Sequence, residues 1–196
     1  MAGFSKIALD ADTASGLKMG DRSAQATAYR VLGPSVMGMA VRILQDRSLA
    51  EEVVQDTFVS LIERASTLRN SEAVVAWVRQ TAVNHCLMRL RSPWQQRRSS
   101  SDMAEELDHA EDADRVDGLH DLERALARLG ARTRMVLWLH DVEGYTHKEI
   151  GKLFGKTSSY SKSKLARGYQ KLLDVYGGEK DVEIARAAHV ESAGVS

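Results

Sequence analysis

The 196-residue chain balances 27 lysines and arginines against 27 aspartates and glutamates and is 43% hydrophobic, a composition that supports one ordinary core or two small ones. Its one cysteine, Cys86, excludes an intrachain disulfide and a multi-cysteine zinc site and fits a reducing compartment. No apolar run approaches the roughly 20 residues of a membrane span, and residues 1–20 lack the apolar centre of a signal peptide, so a cytoplasmic protein without membrane insertion is expected.

In chain order the elements read as helices, and the expected fold class is all-α. Residues 1–22 mix Gly, Ser and Asp with scattered apolar positions and are expected to form a flexible arm. A first helix is predicted over 24–45, with Tyr29, Val31, Leu32, Val36, Met39, Ala40, Ile43 and Leu44 apolar and Pro34 marking a break or a first helical turn. The segment LAEEVVQDTFVSLIERA places Leu49, Val53, Phe58, Leu61, Ile62 and Ala65 on one stripe and Glu51, Glu52, Gln55, Asp56 and Glu63 on the other. After the turn-rich STLRNS comes a third helix, with Val74, Trp77, Val78, Ala82, Cys86 and Leu90 as core positions. These helices make a first domain over 23–92, closed by Ser92-Pro93.

Charge is segregated along the chain. Arg89, Arg91, Arg97 and Arg98 form a basic block without acids between 85 and 98, and eight acids between 102 and 117 stand against Arg115. Residues 93–117 therefore read as an acidic flexible linker. The sign reverses again between 145 and 171, where Lys148, Lys152, Lys156, Lys162, Lys164, Arg167 and Lys171 meet Glu149 alone. Nucleic-acid binding and merely solvated helix faces both fit this pattern.

A second domain is predicted over 118–178, with a tail from 179 to 196. Its Gly155-Lys156-Thr157 is no phosphate-binding loop: the first required glycine is Ile150, and no strand precedes it. Thr146 and Glu149 instead have capping-box spacing, starting a short helix through Ile150, Leu153 and Phe154 that Gly155 ends in a left-handed turn. A second helix runs from Thr157-Ser158-Ser159 through Leu165, Tyr169, Leu172 and Leu173. Helix, glycine-containing turn and basic helix make a helix-turn-helix, whose candidate DNA contacts are Ser158, Ser159, Tyr160, Lys162, Ser163, Lys164 and Arg167. The six histidines show no metal-ligand spacing, so no catalysis, metal or cofactor is expected.

AEEVVQDTF at 50–58 resembles the Asp-Ala-Glu-Asp-Leu-Val-Gln-Glu-Thr-Phe segment of extracytoplasmic-function sigma factors, the promoter-recognition subunits of bacterial RNA polymerase. AWVRQTAVNH and LHDVEGYTHKEIGKLFG resemble two further family segments in the same order, and the resemblance spans about residues 24–174. It implies that Glu51, Glu52, Gln55 and Asp56 dock on core polymerase. Asn84 would read a flipped base of the −10 element, Arg89, Arg91, Arg97 and Arg98 would follow nearby phosphates, and the helix-turn-helix would read the −35 element. Trp77 matches a family tryptophan, though a core role suits it physically. An anti-sigma factor is a possible further partner. The alternative is a sigma-like regulator that binds DNA or polymerase without initiating by itself. Lys156 and Ser161 replace apolar residues that pair the family's two helices, and Leu49 replaces a frequent acid, so a weaker recognition helix and altered docking are expected.

Overall fold

The structure, a computed structural model, describes residues 4, 7–91 and 125–176. All regular structure among them is helical, and the chain divides into two compact units between Arg89 and Leu90. The predicted linker over 93–117, Arg97, Arg98 and the tail over 179–196 lie outside the described residues.

The first unit contains α1 (Ala11–Lys18), α2 (Arg22–Leu44), α3 (Arg47–Arg64), a 3-10 turn (Ala65–Thr67) and α4 (Ser71–Arg91) as far as Arg89. Helix α1 corrects the expectation of a flexible arm over 1–22. Asp10 caps it, accepting from Thr13 N at 2.6 Å and Thr13 Oγ1 at 2.7 Å, and Phe4, Leu9, Ala14 and Leu17 are buried. Tertiary burial against α2 thus overrides a composition that mixes Gly, Ser and Asp.

Pro34 lies inside α2 rather than at a break. Its ring is exposed, and the helix continues because Leu32, Val36, Met39 and Ile43 are fully buried on either side of it. Only the helical donor to the Arg30 carbonyl is lost. Val53, Leu61, Val74, Val78, Ala82 and Cys86 complete the core. Burial pushes the Cys86 thiol up to about 12, so it serves as a small hydrophobe. Three predicted apolar positions, Tyr29, Val31 and Ile62, are exposed instead. The Tyr29 ring lies 4.8 Å from that of Phe58.

In the second unit residues 125–127 are helical, α5 (Ala131–Leu137) runs into a π turn (Trp138–Val142), and α6 (His147–Phe154) and α7 (Ser158–Tyr176) follow. Helix α7 packs on both α5 and α6 around Leu129, Met135, Val136, Leu139, Ile150 and Leu165. A buried Arg134 donates to the carbonyls of Leu126, Ala127 and Leu129 at a helix end, the first of which also accepts from Leu129 N at 3.1 Å. Trp138 Nε1 donates to Glu143 Oε1 at 3.2 Å, so this buried carboxylate also has a specific donor.

Candidate nucleic-acid interface

The helix-turn-helix forms as local rules predict. Thr146 N donates to Glu149 Oε2 at 2.8 Å and Glu149 N to Thr146 Oγ1 at 3.3 Å, closing the capping box. Gly155 ends α6 at φ 64°, where a side chain would be strained. Gly151 lets the turn pass close by, since a Cβ there would lie 2.8 Å from the Thr157 backbone.

Helix α7 then divides into two faces. Ser161, Leu165, Gly168 and Leu172 are buried at spacings of four, three and four. Ser158, Ser159, Lys162, Ser163 and Arg167 are exposed, a row of hydroxyls and cations suited to base edges and phosphates. Tyr160 and Lys164 flank that face, half-buried, with the Tyr160 ring 5.5 Å from Phe154.

Ser161 proves not to be a packing defect. It is fully buried, and its hydroxyl lies 3.0 Å from His147 Nδ1 on α6, so a polar pair joins the two helices where apolar packing was expected. Lys156 is exposed and takes no core position. His147 stacks on His140 at 4.5 Å; His140 Nδ1 lies 2.8 Å from Asp141, which accepts from Tyr169 on α7 at 2.7 Å.

Desolvation, His140 and Lys162 hold His147 below its ordinary 6.5, with Asp141 opposing. The unfolded chain therefore binds more protons below 6.5, and this contribution to stability is lost as pH falls through the lowered value. Tm is expected to drop between about pH 7.5 and pH 5.5, and His147→Asn to reduce the drop. An undiminished drop in that variant would remove His147 from the pH response.

On α3, Glu51, Glu52 and Gln55 are exposed and Asp56 is half-buried, so the four predicted docking residues share the outer surface. Val59 and Ile62, 57% and 50% exposed, add an apolar patch that sequence reasoning missed. On α4, Asn84, Met88 and Arg91 are exposed at helical spacing, and Gln80 Nε2 donates to Asn84 Oδ1 at 3.2 Å. Trp77 is half-buried. Arg89, expected among the phosphate contacts, is ion-paired within the chain. It turns towards α3, with Nη2 2.6 Å from Asp56 Oδ2 and 3.3 Å from Glu52 Oε2. Burial lowers the nearby His85, which Asp56 opposes and Arg89 reinforces.

A helix with an acidic outer face and a helix-turn-helix on one chain fit a promoter-recognition subunit, and comparison with known proteins agrees. Residues 28–98 match Sigma-70 region 2 and residues 119–172 match Sigma-70, region 4. The chain is 30% identical over 158 residues to the RNA polymerase sigma factor CarQ of Myxococcus xanthus, covering 78% of this chain and 88% of that one. It is 27% identical over 128 residues to the ECF RNA polymerase sigma factor SigM of Mycobacterium tuberculosis, covering 65% of this chain and 64% of SigM. The fold is similar to that of the sigma factor RpoE from Bartonella quintana, co-crystallised with the anti-sigma factor NepR. That match has a TM-score of 0.53 at 18% identity and covers 79% of this chain and 97% of RpoE. The chain belongs to the extracytoplasmic-function sigma factors of the sigma-70 family. It is an alternative sigma factor for transcription initiation. No described helix is long and apolar enough to cross a membrane.

Proposed function

We propose that this cytoplasmic, non-enzymatic sigma factor docks on core RNA polymerase through Glu51, Glu52, Gln55 and Asp56 and reads a melted −10 element through Asn84, with Arg91 beside it on phosphate. The second unit reads the −35 duplex through Ser158, Ser159, Lys162, Ser163 and Arg167, with Tyr160 and Lys164 at the margin. Arg97 and Arg98 belong to the same −10 proposal by sequence. The observation that carries the reading is the division of charge: an acidic outer face on α3 and a hydroxyl-and-cation face on α7. A basic polymerase surface complements the first, and DNA phosphate the second. An anti-sigma factor, the kind of partner in the Bartonella complex, would act by covering either face.

Asn84→Ala is expected to impair open-complex formation while core binding persists. An amide offers a donor and an acceptor to an unstacked base, and alanine offers neither. Lys162→Ala is expected to weaken −35 duplex binding and reduce its salt slope by about 1. The test combines permanganate footprinting of the melted strand with duplex titrations at several salt concentrations. Equal loss of core binding and opening in Asn84→Ala, or an unchanged slope in Lys162→Ala, would refute the assigned contact.

A further inference from the structure

Arg89 joins the surfaces assigned above to two different ligands. It reaches from α4 to the Asp56 and Glu52 carboxylates on α3, and only 18% of its side chain is exposed, against 48% for Asp56 and 54% for Glu52. The acids face solvent while their counter-ion does not. Among the described residues Arg89 Nε is buried without a hydrogen-bond partner, so the desolvation of a five-donor guanidinium is incompletely offset. Burial holds the neighbouring His85 imidazole below its ordinary value, so it supplies no second cation at neutral pH. Among the described residues these two carboxylates are the acids that pair with Arg89, and another cation that takes them loosens it.

We propose that Arg89 couples polymerase docking to DNA binding. In the free chain Glu52 and Asp56 keep it off nucleic acid, and a basic polymerase surface that takes those carboxylates releases it to a DNA phosphate. Arg89 is a positioning residue before docking and a phosphate contact after it. This rests on the placement of docking on α3 and of −10 contacts on α4 proposed above.

Neutralising the acids should imitate docking without polymerase. Phosphate contact is independent of sequence, so a labelled, mixed-sequence single-stranded DNA is titrated with the full chain at several salt concentrations. In the E52Q/D56N variant, affinity is expected to rise and the salt slope to steepen by about 0.7, the value of one added phosphate contact on a single strand. Adding R89Q to that background should remove the gain, whereas R89Q in the wild-type background should change the slope by less than half as much. E63Q/E72Q removes equal charge away from Arg89 and should leave the slope at its wild-type value. Melting each variant verifies its fold, and D56N alone, which removes the shorter contact, should give a smaller gain of the same sign.

A gain that persists without Arg89, or an equal gain in E63Q/E72Q, overturns the coupling. A parallel assay measures wild-type binding to core polymerase. If the chain binds core and fails the cycle, the coupling is wrong and the family role stands. Absence of core binding overturns the docking assignment and the coupling with it.

Discussion

Arg134→Ala is expected to destabilise the second unit by about 3 kcal/mol and to lower −35 duplex binding with it, the largest single-residue effect on stability. The side chain is 8% exposed and donates to three carbonyls just before Gly130. Alanine removes the Arg134 donor from the Ala127 and Leu129 carbonyls, while Leu126 O keeps its bond from Leu129 N, and a buried acceptor left without a donor costs about 1–3 kcal/mol before relaxation. The loss reaches DNA binding because α5, which carries Arg134, packs directly on α7. Arg134→Lys keeps the charge but not the fork and should recover only part of the stability. Chemical denaturation followed at the second unit checks the order Arg, Lys, Ala. Equal stability across the three would remove the carbonyl contacts from the account.

Replacing both Glu52 and Asp56 with alanine is expected to lower affinity for core polymerase by at least about tenfold, because charged pairs desolvated at an interface are costly to break. The two acids are close to half exposed while Arg89 is largely buried, so melting curves must show whether the chain stays folded once both are removed. Loss of binding without loss of fold is the signature of a docking surface. Glu63→Ala removes an exposed charge lower on α3 and should leave affinity near wild type. Surface plasmon resonance against immobilised core polymerase, with melting curves for each variant, separates the two effects. Wild-type affinity in the Glu52, Asp56 double variant would move docking elsewhere.

Local rules made the helix-turn-helix legible. A capping box and a left-handed glycine are decided within a few residues, so Thr146, Glu149 and Gly155 could be placed from spacing alone. The helix-turn-helix pattern itself suggested DNA contacts on α7, and family resemblance supplied the proposed docking role of α3. The missed features depend on partners distant in sequence. Ser161 looked like a defect because its partner His147 lies fourteen residues away on another helix. The ion pairs that hold Arg89 in the free chain were not visible because its acids lie 33 and 37 residues earlier. Helix α1 was missed for a related reason: Leu9 and Leu17 gain their burial from tertiary packing, which composition cannot register. Arg134 gave one weak signal, a cation at the edge of the apolar run Met135–Leu139, but nothing in that spacing identifies three backbone acceptors.

The most direct test of the central claim is transcription itself. The purified chain is mixed with bacterial core polymerase and fragmented genomic DNA from its source, and RNA 5′ ends that depend on the chain are sequenced. Starts that share two upstream elements at fixed spacing, and that Asn84→Ala abolishes while still binding core, are the predicted result. A stable complex with fully active core that yields no chain-dependent starts would contradict an initiating sigma factor and leave a sigma-like regulator in its place.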